Sequence, residues 1–503
     1  MISRKRKVRF VQVQATPEKI TINTKEEHVR EETMDSADEF EPFMTIPPHL
    51  VRWPAIRDTL SSSTSQLQAQ TIAECLPLLN AINNPSSNPF DFDEHGQHNL
   101  NRADHIKFIR DGLQALPAQF VAMDASRPWL MYWSLLSLYV LGEDVKPLQS
   151  SIIKTFEPLQ NKSGGFGGGQ GHLSHLAGTY AVILAVSMVG GQDVYNVIDR
   201  VALWHWLGRL KQSNGGFCVC EDGEEDVRGA YCALVAITLL DLPWHLPSDS
   251  AARASGMTDF RDGLGEYLSS CQTYEGGIAA SPSNEAHGAY TFCALACLSI
   301  LGPPHETIKR YLNVESLLQW LSARQYAPEG GFAGRTNKVV DGCYSHWIGG
   351  CWPLVEAVLT GPDHEGESVD PSTKARIFSG EGLVRYILGC CQGPSGGLRD
   401  KPSKRPDAYH TCYNLCGLSM TKHSHVYYLR QSPDSGLLEY AARRNDLLRP
   451  TSEDVSEADS TSQEVAAFHP VYVTPHTAVH DLEQWSRTHA LDFEVAHISA
   501  ESK

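Results

Sequence analysis

Two kinds of apolar pattern alternate along the chain. In the first, one stripe runs down an otherwise polar segment: Leu264, Tyr267, Leu268 and Cys271, and again Val384, Ile387, Leu388 and Cys391, fall at i, i+3, i+4 and i+7. That spacing predicts amphipathic helices with one face buried. In the second, runs such as 231–240 (YCALVAITLL) and 290–301 (YTFCALACLSIL) are apolar almost all round, which predicts helices enclosed on every side. A fixed sequence of signals joins the two kinds: a Gln, a short polar gap, a Gly pair, a polar loop. It occurs five times, with Gly pairs starting at Gly164, Gly215, Gly276, Gly330 and Gly396 and with Gln160, Gln212, Gln272, Gln325 and Gln392 just upstream. The spacings of 51, 61, 54 and 66 residues mark one supersecondary unit used repeatedly, near 151–192, 203–242, 260–302, 313–356 and 380–420. The Gly pair ends the first helix and admits positive φ in the turn. Strand signals are weak throughout, so the fold class is all-α: an outer amphipathic layer around an inner buried one. The period alone leaves open whether the array is an open solenoid or a closed ring.

Composition sharpens the picture at the ends. With 503 residues and 42% hydrophobic content, the middle can bury a large core. Residues 1–45 differ: Arg4, Lys5, Arg6 and Lys7 are followed by eight acids between Glu26 and Glu41. Such a stretch buries too little to offset its ordering entropy and is expected to remain a disordered charged tail. The helical body is expected over 46–449. A polar insertion follows at 450–465, expected to be disordered, and then 466–473 (AAFHPVYV) opens a C-terminal segment, 466–503, apolar enough to dock on the body. The net charge of −17 argues against nucleic acid as a partner, because phosphate contacts need clustered cations. No apolar run is long enough to span a membrane, and MISRKRKVRF lacks the apolar core of a secretion signal. Thirteen Cys scattered through apolar stretches read as reduced core thiols, so a cytoplasmic location is expected.

Candidate chemistry collects at the starts of the inner helices. Four repeats carry an acid followed shortly by a variable group: Asp226-Val-Arg228, Glu285-Ala-His287, Asp341-Gly-Cys343 and Asp407-Ala-Tyr409-His410. An acid there is a natural N-cap, but capping does not account for the next position. If the inner helices converge, Arg, His, Cys and His reach one shared site. Asp341, Cys343 and His410 offer carboxylate, thiolate and imidazole, the ligand types of zinc, and three ligands leave a fourth position open. A core Cys beside a capping Asp is the alternative reading. His287, Arg335, Lys338 and Arg228 form a cationic set suited to a diphosphate, with Tyr344 placed to donate to a leaving oxygen. Trp129, Tyr132, Trp133, Tyr231, Tyr290, Trp347, Tyr409 and Tyr413 are either core or the wall of an apolar funnel. A long hydrocarbon with a charged diphosphate head fits such a cavity.

The segments RPWLMYW, EAHGAYTFC, GGFAGRTNKVVDGCYSHW and RDKPSKRPDAYHTCY closely resemble the β subunits of protein farnesyltransferases, from about Asp124 to Leu418, and HPVYVTP resembles that family's C-terminal segment. The tails and insertions point to a fungal member. The resemblance implies a closed α–α barrel (toroid). It implies that Asp341, Cys343 and His410 hold one Zn²⁺, and that Asp400 is linked to Mg²⁺ use. It places His287, Arg335, Lys338 and Tyr344 at the diphosphate as catalytic residues, with Ala289, Thr336 and Asn337 also among the farnesyl-diphosphate-binding residues. Arg228, Tyr231, Gly288, Tyr290 and Trp347 fall on the isoprenoid-pocket wall, and Ser126, Trp129, Trp133, Tyr409 and Tyr413 where peptide side chains bind. The implied reaction moves a farnesyl group from farnesyl diphosphate to the Cys of a C-terminal Cys-a-a-X sequence, with a helical α subunit as heterodimer partner that supplies a further Lys. Trp129 is bulky where geranylgeranyl relatives have a small residue. His346, Ala289 and Thr336 depart from the family's forms, and the loop at 362–375 and the insertion at 450–464 are longer or foreign. Three other classes compete: a geranylgeranyltransferase type I β subunit, a terpene cyclase (whose DxDD-type acid is absent), and a helical-repeat adaptor that binds peptides without chemistry.

Overall fold

The computed structural model describes residues 10–16, 19–25, 60–79, 97–114, 116, 118–362, 377–428, 439–444 and 464–491. Residues 1–42 and 43–503 form separate compact units. Over its described residues the first unit is a hairpin: β1 (Phe10–Thr16) pairs antiparallel with β2 (Lys19–Lys25), with Val13 opposite Ile22 and Ala15 opposite Ile20. The charge-based expectation of a wholly disordered tail is therefore corrected over this stretch. FVQVQAT and KITINTK alternate apolar and polar residues, a period-two signal that the surrounding charges concealed.

The second unit is a double ring of helices. Helix α1 (Ser63–Leu79) lies outside it, against residues 387–391. Then α2 (Arg102–Gly112) and α3 (Arg127–Val140), α4 (Gln149–Phe156) and α5 (Leu176–Val189), α6 (Arg200–Leu210) and α7 (Val227–Leu239), and α8 (Leu264–Ser270) and α9 (Gly288–Leu301) form outer–inner pairs. In the next pair the outer helix is α10 (Val314–Ser322) and the inner one is broken into α11 (Tyr344–Trp347) and α12 (Cys351–Thr360), at Gly349 and Gly350. The last pair is α13 (Gly380–Tyr386), continued as a π-helical turn over Ile387–Cys391, and α14 (Ala408–Lys422). Inner helices pack in the order α3, α5, α7, α9, α11, α14, and α14 returns to α3. The array is thus a closed ring of six pairs. The sixth pair, α2 and α3, lacks the Gly-Gly signature, which is why the repeat pattern shows only five.

The Gly pairs do more than stop helices. Gly276 has φ +103°, and a Cβ on it would lie 1.9 Å from the carbonyl oxygen of Ser316 in the next outer helix. A Cβ on the following Gly277 would lie 2.5 Å from the Trp320 ring. Each turn is therefore pressed against its neighbour. The upstream Gln completes the joint. Gln272 Nε2 donates to Gly276 O (2.9 Å) and Asn313 O (3.0 Å), and its Oε1 accepts from Asn313 N at 2.8 Å. Asn313 is the N-cap of α10. Gln160 does the same with Asp199, the cap of α6, and Gln325 with Ser379, the cap of α13. Gln392 accepts from Asn101 N at 2.8 Å, the cap of α2, so the last repeat is stapled to the α2–α3 pair. In the second repeat the seat belongs to Lys211, not Gln212. Buried Lys211 donates to Gly215 O (2.7 Å) and Phe260 O (2.8 Å), whereas the Gln212 side chain turns back to Leu210 O.

Strands interrupt the helical plan once more, at β3 (His423–Tyr428) paired with β4 (Glu439–Arg444) directly after α14. The all-α pattern did not predict this hairpin, because HSHVYY and EYAARR are two short strands that lack a tight-turn signal between them. The segment 464–473 then fills one end of the ring: Phe468, Val471, Tyr472 and Val473 are buried, Tyr132 OH donates to Val473 O (2.8 Å) and Tyr231 OH to Val471 O (2.7 Å). Helix α15 (His476–Thr488) is tied on by Arg200, which donates to Ser486 O and His489 O at its C-terminal end, where a cation also suits the helix dipole. The insertions at 362–375 and 450–465 lie almost wholly outside the described residues, as does 492–503. No described helix is long and apolar enough to cross a membrane.

Candidate metal centre and ligand pocket

The inner-helix starts converge, and the capping residues do double work. Asp226 accepts from Arg228 N (2.8 Å) as the cap of α7 and also holds the Arg228 guanidinium. At α9 the cap is His287, whose Nδ1 accepts from Ala289 N at 3.1 Å. Glu285 does not cap that helix; its carboxylate pairs with Arg335 at 2.5 Å. Asp407 caps α14 through His410 N at 2.8 Å.

Asp341, Cys343 and His410 meet at one point. Their potential ligand atoms all lie within 4.8 Å of one another, the single such trio among the described residues. Asp341 Oδ1 accepts from Cys343 N (2.9 Å) and lies 3.2 Å from His410 Nε2, while His410 Nδ1 sits 2.7 Å from Asp407 Oδ2. Burial, and then the Asp341 charge, push the Cys343 thiol well above its usual range. Burial works against a charged His410, but hydrogen bonds to Asp341 and Asp407 lift it to about 9. So without a cation the trio holds protons on sulfur and imidazole. A divalent cation there would displace both. A buried thiol, an imidazole and a carboxylate in mutual contact are a fitting donor set for zinc with one position open.

Beside the trio lies the cationic set. His287 Nε2 lies 3.0 Å from Tyr344 OH. Burial and the charge of Arg335 lower His287 to about 4, so it is neutral at neutral pH. Since Nδ1 accepts from Ala289, Nε2 carries the proton and donates to the Tyr344 oxygen. The phenol hydrogen of Tyr344 is then free to point at a ligand. Gly288 has no room for a side chain: its Cβ would fall 2.7 Å from Ile348. Asn337 and Lys338 are exposed, whereas Thr336 bonds Glu275 (2.8 Å) and Arg324 (3.1 Å). Asp400 sits close to the trio through its backbone, since Gly342 N donates to its carbonyl at 2.8 Å, but its carboxylate is paired with buried Lys401.

The aromatics form a continuous wall. Ring centroids lie 5.6 Å apart for Trp129–Tyr180, 5.4 Å for Tyr180–Tyr231, 5.8 Å for Tyr231–Phe292, 5.7 Å for Phe292–Trp347 and 4.6 Å for Trp347–Tyr413. Tyr409 and Trp133 continue it at 5.2 Å, and Trp347 Nε1 donates to Tyr409 OH at 3.1 Å. Tyr290 stacks toward His287 and lies under Arg228. Ser126 is half-buried at the N-terminus of α3, one turn before Trp129. Sequence reasoning omitted Tyr180 and Phe292 from this wall. Tyr180 carried a usable signal: Gly178-Thr-Tyr180, Gly229-Ala-Tyr231 and Gly288-Ala-Tyr290 occupy one repeat address. Asp407 was read only as a cap, and its contact with His410 could not be seen without the helix geometry.

Comparisons with known proteins agree with this architecture. The family profile of the prenyltransferase alpha-alpha toroid domain matches residues 100–474. The protein farnesyltransferase subunit beta of Pyricularia oryzae is 49% identical over 87% of this chain and 83% of its own length. That of Schizosaccharomyces pombe is 39% identical over 73% of this chain and 86% of its own. The geranylgeranyl transferase type-1 subunit beta of Arabidopsis thaliana is 28% identical over 64% of this chain and 85% of its own. Among solved structures, Candida albicans protein geranylgeranyltransferase-I complexed with GGPP superposes with a TM-score of 0.54 at 19% identity, over 78% of this chain and all of that one, a likeness of fold. With its closed double ring, its profile match and these relatives, the chain belongs to the protein farnesyltransferase β-subunit family of α–α toroid prenyltransferases.

Proposed function

We propose that this chain, joined to an α subunit, transfers a farnesyl group from farnesyl diphosphate to the Cys thiol of proteins ending in Cys-a-a-X. The observation that carries the reading is the meeting of Asp341, Cys343 and His410 within 4.8 Å, beside the His287–Tyr344 pair and the aromatic wall. The three residues would hold one zinc ion, which when bound supplies a Lewis acid that keeps a substrate thiol deprotonated at neutral pH. The chain's own groups do the rest. The wall from Trp129 to Trp347 takes the hydrocarbon, and bulky Trp129 limits its length. Tyr344, oriented by neutral His287, donates to the diphosphate, and Arg335 and Lys338 supply positive charge, Arg335 exchanging its Glu285 partner for the substrate. In the reaction the substrate sulfur bonds to the first farnesyl carbon as the carbon–oxygen bond breaks, and the diphosphate leaves onto these donors, where its charge is stabilised. Asp400 would serve Mg²⁺ only after parting from Lys401.

The test is co-expression with candidate α subunits, followed by competition between labelled farnesyl and geranylgeranyl diphosphates for a Cys-a-a-X peptide. Preferential farnesyl incorporation is expected, in keeping with the higher identity to farnesyltransferase relatives. Preference for the longer donor would favour the type I reading, and no transfer by an assembled heterodimer would favour the adaptor.

A further inference from the structure

We propose that His425, His469 and His476 form an acid-sensitive latch that holds residues 464–474 in the end of the ring. The three imidazoles come from β3, from the held segment and from the first residue of α15. His476 lies between the others, its ring centroid 6.4 Å from His425 and 5.2 Å from His469. His425 and His469 are buried, and the Nε2 of His476 is out of solvent. The hydrogen bonds suit neutral rings only. His425 Nε2 donates to Phe468 O at 3.2 Å, and its Nδ1 has no partner. His469 Nδ1 accepts from Val471 N (3.2 Å) and Tyr472 N (3.3 Å). His476 lies against the carbonyls of Phe468 and Tyr440, and its Nε2 has no partner. A second proton on His469 breaks both of its bonds, and one on His425 Nδ1 or His476 Nε2 becomes a buried donor with nothing to receive it. Burial works against a charge on all three, and the neighbouring imidazoles add to it at His425 and His469. The other titratable or charged groups on the surrounding elements are His423 and Tyr427 on β3, Tyr440 and, opposite His423 in register, Arg444 on β4, Lys422 on α14, Glu356 on α12, Tyr472 on the segment, and His480, Asp481 and Glu483 on α15, the last paired with Arg487. The held turn is also strained: Val473, a β-branched residue, has φ +56°, a region such residues avoid. It is kept there by bonds from Val473 N to His469 O (2.9 Å) and from His469 N to Thr474 O (2.8 Å). Release would take Val471 O from Tyr231 OH and Val473 O from Tyr132 OH, and so unseat the aromatic wall; that consequence for the isoprenoid rests on the function proposed above.

Hydrogen exchange of the αβ heterodimer, read by mass spectrometry and corrected for intrinsic rates, measures the opening of 464–474 directly. It needs no prenyl donor, so its outcome is separate from that of the transfer assay. A histidine held neutral by burial costs stability as pH falls below its ordinary value near 6.5, and release removes that cost. Opening should therefore rise by up to about 30-fold per histidine between about pH 7.5 and about pH 5, while α7 and α9 stay protected. His425→Gln keeps a donor for Phe468 O, and His469→Asn keeps an acceptor for Val471 N; neither titrates. The double variant should stay closed at neutral pH and retain one histidine's acid response, about 30-fold. His480→Gln, an exposed change on the same helix, should leave the wild-type profile unaltered. A wild-type response below about tenfold, exchange of α7 and α9 in step with the segment, or an undiminished response in the double variant would overturn the latch. If the double variant does not fold, the wild-type profile decides alone.

Discussion

His346 is a buried imidazole with no hydrogen-bond partner, and its replacement by Phe should stabilise the protein. The side chain has 0% exposure, and neither Nδ1 nor Nε2 has a partner. Its ring stacks on Tyr413 (5.1 Å, 20°) and is enclosed by Phe292 (4.8 Å), Trp347 (5.0 Å) and Phe468 (6.1 Å). An unsatisfied buried polar group costs about 1–3 kcal/mol. His346→Phe removes that cost and keeps the stack; the extra ring atom returns about 1 kcal/mol as crowding. The net gain is about 0–2 kcal/mol, read as a rise in melting temperature of a few degrees at most for a chain of this size. The pH dependence gives an independent check. Burial lowers His346 to about 3, below its unfolded value near 6.5. The unfolded state therefore binds the proton first, and the folded state loses stability as pH falls from about 6.5 toward 3. The Phe variant should lose less over that window. Thermal and guanidinium unfolding of both proteins across pH decide the matter. Destabilisation by more than about 1 kcal/mol, with unchanged acid sensitivity, would show that the imidazole is satisfied after all.

Three further outcomes follow from the geometry. Gly276→Ala, which meets both a positive φ and a carbonyl 1.9 Å away, should cost about 3 kcal/mol or more and lower soluble yield; a melting temperature within two or three degrees of wild type would contradict the joint described above. Cys343→Ala should abolish zinc content, read by metal analysis, and turnover, while farnesyl diphosphate affinity measured by fluorescence survives. Tyr344→Phe should reduce kcat about 100–1000-fold by losing one donor to the departing diphosphate, with the neutral state of His287 keeping the wild-type activity free of a His287 titration down to about pH 5.

Most of the ring was legible because its construction is repetitive. A Gly pair behind an amphipathic stripe forces the same tight contact each time, and enclosed helices such as α7 and α9 can only be apolar. Where a local substitution served the same end, the pattern misled. Lys211 reaches the carbonyls that Gln reaches elsewhere, and the adjacent Gln212 was taken for it. Helix pair α2 and α3 carries no Gly pair, so its membership shows only in the contact of α14 with α3. The strands of the β3–β4 hairpin are each only six residues long, too short to stand out from the helical pattern. At the site, residue identities singled out Asp341, Cys343 and His410 as a candidate trio, and the structure brings their potential ligand atoms together. Side-chain direction was not legible: nothing in the chain says that Thr336 turns to Glu275, that Lys401 takes the Asp400 carboxylate, or that His287 and not Glu285 caps α9.

The staple from Gln392 to Asn101 has a consequence for how such a molecule can change. An open stack of repeats can lengthen or shorten by whole units, because its ends are free. A circle of six cannot: a seventh pair would prise apart every inner contact, and a missing one would leave a gap that nothing spans. Extra sequence is admitted only where the circumference is not interrupted, in the links between helices and beyond the last of them. Along the sequence, the long stretches at 362–375 and 450–465 fall in such positions, between α12 and α13 and beyond α14.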